Sequence, residues 1–336
     1  MNGTIQTLTD AALAGEFLTA EQIGALSEAS TQYLDDLLYG ANQIRRRFFG
    51  DKIRVCSIVP GRLGGCSQDC AFCAQSVRYD TAIDKTPKVL TDEQILAAAA
   101  EAKQKGVPNF GIVYSGRAVG DAELGRLIGL TAQIKRDYGM GVCMGLGILN
   151  RTQMKRLAEA GAVRYNHNLE TSRRYFGQIV TTHSYDDRIR TIEAALEAGL
   201  GVCAGGLFGI GETEQDRIDM ALELRRLGVD TVPMNFLHPI PGTPLGDSEP
   251  LCPREILRII ALYRFILPQT NLKVAGGRVL NLRDLQSWIF YAGCTSILSG
   301  NYLTTVGRAV EDDMQMLRDL GLEPAEEALT KPRKNK

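Results

Sequence analysis

From about Ile53 onward the apolar positions recur as one unit. A short run rich in β-branched residues meets a polar junction, then a stretch with apolar residues three or four apart, then a glycine. Strands are predicted at Ile53–Val59, Asn109–Tyr114, Gly141–Leu146, Val163–Asn168, Gly201–Leu207, Thr231–Phe236, Leu272–Gly277 and Cys294–Leu298, with a helical pattern between each pair. The junctions carry helix signals. Thr91 and Gln94 form a capping-box pair, Asn150 and Ser184 stand as N-caps, and Pro253 suits a first helical position. Gly106, Gly161, Gly199, Gly228 and Gly293 mark the C-terminal stops. Eight such units predict an α/β fold of the (β/α)8 TIM-barrel type. An open doubly wound sheet uses the same alternation and is its competitor.

Outside the repeat, Leu34, Leu37, Leu38 and Ile44 fall at near-helical spacing. Residues 1–50 therefore read as a helical extension capping one end of a barrel that occupies 51–300. Residues 301–324 read as a C-terminal extension of loop and one helix. The charged segment 325–336 is expected to be disordered.

Composition narrows the setting. The chain of 336 residues is 44% apolar and 23% charged, with a formal net charge of −1. No stretch approaches the roughly 20 consecutive apolar residues of a membrane span. The only basic clusters are Arg45-Arg46-Arg47 and the tail, so neither nucleic acid nor membrane is expected as a partner. The first residues lack a basic-then-apolar export pattern, which predicts a soluble, cytoplasmic protein with reduced thiols. Eight cysteines then need metal or core roles.

Cys66, Cys70 and Cys73 follow the first strand and Pro60, Gly61, Gly64 and Gly65, on a loop at the functional face of such a barrel. Three thiolates can hold three irons of a [4Fe-4S] cube and leave the fourth open to another ligand. A zinc knuckle would need a fourth Cys or His nearby, yet the next cysteine is Cys143 and the first histidine His167. The C-x3-C-x2-C spacing resembles that of the radical S-adenosylmethionine superfamily. The resemblance implies that the cofactor chelates the open iron and that its reductive cleavage abstracts hydrogen from an unactivated carbon. It also implies that Phe72 packs on the adenine, and that Gly206 and Leu207, in the glycine-rich run 205–212, and Leu237 contact the cofactor.

Within that superfamily, Tyr165-Asn166-His167-Asn168-Leu169-Glu170-Thr171-Ser172 resembles a signature of the biotin synthase family. The segments Val202–Gly206, Pro233–Asn235, Pro241–Leu245, Ala275–Arg278 and Leu303–Thr305 follow in that family's order. The resemblance implies sulfur insertion into dethiobiotin, a flavodoxin- or ferredoxin-like electron donor and a homodimer. Asn166, Asn168 and Asn235 would pair the substrate's neutral ureido ring, and Asn168 and Glu170 the cofactor ribose. Positions 166, 168 and 170 share one face if the strand persists that far. The bland alternative for each Asn is hydrogen bonding to strand-end backbone. His167, of opposite parity, reads as structural.

The family's second, sulfur-donating [2Fe-2S] cluster uses three cysteines and an arginine. Here Cys143, Cys203 and Arg278 stand at those places, but the remaining cysteine is replaced by Gly111. Cys56 and Cys294, on strands adjacent in a closed barrel, add two thiols. Cys56, Cys143, Cys203 and Cys294 are thus candidates for an auxiliary four-iron cluster carrying an extra sulfide, with Arg278 as a nearby cation; otherwise Cys56 and Cys294 fill core volume. Two other readings stay open: a hydrogenase-maturase-like or mutase-like enzyme of the same branch, and a non-catalytic iron–sulfur carrier.

Overall fold

The computed structural model describes residues 1–325, so the expectation for the tail falls almost wholly outside the described residues. Three helices open the chain, α1 (Gly3–Leu13), α2 (Ala20–Gln32) and α3 (Leu34–Phe49). The strands follow as β1 (Lys52–Leu63), β2 (Lys88–Val89), β3 (Asn109–Tyr114), β4 (Gly141–Gly145), β5 (Arg164–Asn166), β6 (Gly201–Cys203) and β7 (Gly206–Phe208). After them come β8 (Thr231–Phe236), β9 (Asn271–Val274), β10 (Ser296–Leu298) and β11 (Glu323–Pro324). Between them lie α4 (Asp92–Gln104), α5 (Asp121–Tyr138), α6 (Arg151–Glu159), α7 (Arg173–Ile179), α8 (Tyr185–Glu197), α9 (Glu214–Leu227) and α10 (Pro253–Ile266). The chain then adds α11 (Arg278–Leu282), α12 (Trp288–Tyr291) and α13 (Val310–Asp319).

The barrel strands run parallel in the order β10-β9-β8-β6-β5-β4-β3-β1, with β7 continuing β6 alongside β8. β10 then pairs with β1 in register Arg54↔Ser296 and Cys56↔Leu298, which closes the barrel and removes the open-sheet alternative. The capping box of α4 and the N-caps Asn150 and Ser184 form as predicted, the last two within full capping boxes, and all five predicted glycine stops take positive φ. Outward residues such as Val55, Ile112, Val142, Tyr165, Val202, Val232, Leu272 and Ile297 join one core with the surrounding helices. Burying each such side chain is worth about 1.5–3 kcal/mol relative to leaving it in water.

The N-terminal helices differ from expectation. Instead of capping an end they lie along the barrel flank, α3 against α10 and α12. Their polar contacts reach both ends of α9: Ser27 donates to Glu214 and the Leu18 carbonyl accepts from Arg225. The physical reason is Gly40, whose missing side chain lets α3 approach Thr9 and Phe265 so closely that a Cβ would stand 2.5 and 2.8 Å from them. The C-terminal extension does reach a barrel end, with β11 adding to the start of β1.

Candidate functional site

The cysteine loop leaves β1 and folds back on itself. The Cys66 N–H donates to Gln75 O, Val77 N–H to Cys66 O and Cys73 N–H to Cys70 O. Asp69 fastens the loop to the α7–α8 turn by accepting from both backbone and side chain of Thr181 and Thr182. Cys66, Cys70 and Cys73 face one another closely enough to interact electrostatically. Burial pushes the Cys70 thiol up to about 12 and Cys73 up to about 11, so each would lose a proton on binding iron. Among the described residues no three thiol, imidazole or carboxylate groups are gathered to chelate one ion. A cube asks for something different, one thiolate on each of three irons.

Beside the loop a cavity of about 280 Å³ is lined by Phe72, Cys73, Asn168, Glu170, Leu207, Asn235, Leu237 and His238, with Ile58, Leu298 and Tyr302 among the rest. Six of the predicted cofactor or substrate residues are thus brought together; Gly206 and Asn166 are not part of this lining. Gly206 is a spacer: a Cβ there would stand 2.4 Å from Met220 Sδ and 2.6 Å from the Glu170 carbonyl. The strand does not persist to Glu170 as predicted. β5 ends at Asn166, and Glu170 sits at φ 69° with a single bridge to Gly206. That left-handed turn, costly for a residue with a Cβ, redirects the carboxylate into the cavity. The backbone alternative for the asparagines is partly realised. Asn168 Oδ1 accepts from Gly205 N–H, while Asn235 donates to Gly206 O and accepts from Gly276 N–H. Asn166 makes no side-chain hydrogen bond among the described residues.

Arg188, on α8, carried no motif and is central here. Its Nη1 donates to the Asn168 carbonyl and lies 3.5 Å from Glu170 Oε1, and its charge reaches Cys70. Burial raises the Glu170 pKa, against the opposing pull of Arg188. His183 holds this guanidinium from the far side: its Nε2 accepts from Arg188 Nε, with Nδ1 on Gln68. Burial and then Arg188 bring His183 down to about 4, so it is neutral at physiological pH. His167 is buried against Tyr165 in the barrel wall, as expected.

Below the cavity floor lies a second set of thiols. Cys56 packs with Ala275, Leu298, Ile58 and Tyr302, three of which line the cavity above. Cys143 interacts with Cys56, Cys203, Arg164 and Lys273, and burial pushes its thiol up to about 12. Burial disfavours the Lys273 ammonium, yet the Cys203, Cys56 and Cys143 sulfurs outweigh this and hold its pKa above the ordinary lysine value. Gly111, in register with Ile58 and Cys143, turns its empty position toward the same interior.

Of the two other predicted members, Cys294 is elsewhere, whereas Arg278 reaches Tyr302, which packs on Cys56. Cys294 precedes β10, whose Leu298 is the partner of Cys56, so it sits four residues lower, about 13 Å along the strand. Its thiol donates toward Leu272 O and Ser296 O, near Arg264. Adjacent strands did not mean adjacent levels, and Cys294 fills core volume. Arg278 begins α11 and is fully buried in a two-pronged pair with Asp313, at 2.9 and 2.6 Å. The cation among the thiols is Lys273, whose signal was a lone charge inside the apolar run 272–275.

The comparisons with known proteins agree with this geometry. Residues 62–224 match the family model of the Radical SAM superfamily, and residues 233–323 that of the Biotin and Thiamin Synthesis associated domain. The biotin synthase of Heliobacterium modesticaldum is 49% identical over 315 residues, 94% of this chain and 96% of that protein. The biotin synthase of Geotalea uraniireducens is 44% identical over 327 residues, 97% and 99% of the two chains. Among solved structures, methylornithine synthase has a TM-score of 0.79 at 22% identity, covering 95% of this chain and 97% of its own. The [FeFe]-hydrogenase maturase of Carboxydothermus hydrogenoformans has 0.80 at 18%, covering 96% and 79%. These two share the fold; the sequence identity lies with the synthases, and the chain belongs to the biotin synthase family of radical S-adenosylmethionine enzymes.

Proposed function

We propose that the chain inserts sulfur into dethiobiotin to form biotin, with its site divided between the two thiol sets. What carries the reading is their proximity: Cys56 packs against Ile58, Leu298 and Tyr302, which line a cavity whose wall includes Cys73. A substrate in that cavity would lie against Cys73 and be parted from Cys56 by one layer of side chains. Cys66, Cys70 and Cys73 would hold the [4Fe-4S] cluster; with bound S-adenosylmethionine it supplies reductive carbon–sulfur cleavage and hydrogen-atom abstraction. Phe72, Leu207 and Leu237 offer apolar surface to the adenine, and Asn168 and Glu170 hydrogen-bond acceptors to the ribose hydroxyls. Arg188, buried beside Cys70, supplies the cation that the cofactor carboxylate needs once out of water. Asn235, in the cavity lining, would meet the substrate's ureido group, with Asn166 in register with Cys203 and its amide unengaged.

Cys56, Cys143 and Cys203 would hold the auxiliary cluster. The donor set fits: three buried thiols with a lysine to offset their charge on ionisation. With only three protein thiolates, such a four-iron cluster would have room for an added sulfide and would supply it as the inserted sulfur. The Lys273 ammonium stabilises negative charge at that level, and the apolar floor excludes water from the reacting carbon. A flavodoxin or ferredoxin as reductant and a homodimeric assembly follow from the family. The test is anaerobic reconstitution with dithionite, dethiobiotin and S-adenosylmethionine. Biotin and 5′-deoxyadenosine should appear together; cofactor cleavage indifferent to dethiobiotin would instead favour a maturase-like or mutase-like substrate.

A further inference from the structure

Barrel interiors of this type are ordinarily filled by layers of bulky branched residues. Beneath the thiols this one is cationic. Arg54 lies two residues below Cys56 on the same face of β1, about 7 Å along the strand. It is in register with Ser296, itself in register with Lys273. Arg164 is in register with Cys143 on one side and Gly201 on the other. Gly201 gives it room, since a Cβ there would meet Arg164 Cγ at 2.9 Å and Asp230 Oδ2 at 3.1 Å.

The charges do not balance. Arg164 is 4% exposed; its Nη2 pairs with Asp230, but its Nε and Nη1 have no hydrogen-bond partner. Arg54 makes no ion pair among the described residues, and the like charge of Arg164 lies close to it. Asp230 is itself shared, because its Oδ1 accepts the Val202 N–H. Among these cations Asp230 serves Arg164 alone, and neither Arg54 nor the Lys273 ammonium has a carboxylate partner among the described residues. An orphaned buried guanidinium donor is costly unless an anion or water meets it. Arg54 is partly exposed, whereas Arg164 is buried, so the cations descend from the thiols toward solvent at the barrel's lower mouth.

We propose that this floor is an anion site and passage for inorganic hydrosulfide, admitting from below the sulfur that each turnover removes. The inference rests on the proposed auxiliary cluster at Cys56, Cys143 and Cys203. A route from below would let sulfur be replaced without passing through the upper cavity, where substrate and cofactor would bind. Hydrosulfide is a small monoanion at mildly alkaline pH. It needs only donors and positive charge, and the Arg54–Arg164 floor supplies both.

The test uses the full chain with Cys66, Cys70 and Cys73 replaced by Ala, so that only the interior cluster forms. Assembly is followed anaerobically by absorbance as sodium hydrosulfide is varied at fixed ferrous iron, then as iron is varied at fixed hydrosulfide. In this background R54Q/R164Q should raise the half-saturating hydrosulfide about tenfold, the scale of electrostatic focusing, and leave that for iron unchanged. R164K, which keeps the charge, should stay within about twofold of the parent. Added sodium chloride should compete in the parent and lose its effect in the double variant. If R164Q does not fold, R54Q alone carries the test, because that side chain is partly exposed and unpaired. Equal hydrosulfide dependence in parent and variants, with iron bound in both, overturns the floor proposal alone. A parent that takes up no iron overturns the auxiliary-cluster reading, and this proposal with it.

Discussion

The two sets of three cysteines are built by opposite means. Cys66, Cys70 and Cys73 lie within eight residues on one loop, and hydrogen bonds inside that loop and to Thr181 and Thr182 give it shape. Cys56, Cys143 and Cys203 span 148 residues and meet only because β1, β4 and β6 turn them into the interior of one closed barrel. The loop site is a local motif carried by a fold; the interior site is the fold. The difference teaches that a local motif tolerates change elsewhere, whereas a site assembled by strand register fails with any slip.

The sharpest way to break this comparison is to remove a loop thiol. Replacing Cys66, Cys70 or Cys73 by Ala should abolish reductive cleavage of S-adenosylmethionine, at least about a thousandfold, because an iron loses its ligand. Interior iron, measured by anaerobic iron and sulfide analysis, should persist. Retained 5′-deoxyadenosine production in all three variants would overturn the loop assignment.

Of intermediate size is the reverse experiment. C143A and C203A should each lose interior iron and biotin formation, while the initial rate of cofactor cleavage stays within about twofold, since the loop is untouched. C294A should behave as the parent in both assays. Loss of interior iron in C294A, and not in C143A, would mean that the register at β10 had been misread.

Smallest is a change at the junction of the two regions. Arg188→Met removes the buried cation shared by Glu170, Asn168 and Cys70. A charge-assisted hydrogen bond is worth about 1.5–3 kcal/mol, so half-saturating S-adenosylmethionine should rise roughly ten- to hundredfold. The dethiobiotin requirement should move far less, and an equal rise in both would assign Arg188 to general folding instead.

How far the sequence could be read follows the same division. β3 and β8 were predicted to the residue, because alternation and turn signals are local. The triad was legible for the same reason, as was the glycine run after β6, where Gly205 is required by an approach of 1.9 Å from a hypothetical Cβ to Pro233 O. What was not legible was height in the barrel. Cys294 sits beside the right motif but at the wrong level, below β10, and Arg278 comes near Cys56 only through Tyr302, from the start of α11. Lys273, Arg54 and Arg164 looked like ordinary strand charges until register brought them under the thiols. Glu170 was placed correctly by a wrong argument: a left-handed turn, not a continued strand, points it inward.

The pairing of β1 with β10 also sets an order of events during synthesis. Residue 56 leaves the ribosome early, but its wall is incomplete until Leu298 follows, more than two hundred residues later. Until then the chain is an open, curling sheet whose inner thiols face solvent and whose β1 edge is unpaired on that side. Contacts so distant along the chain form late and slowly. A nascent chain therefore presents its loop cysteines in a nearly finished setting while its interior cysteines are still bare, and a stalled or truncated product would expose them indefinitely.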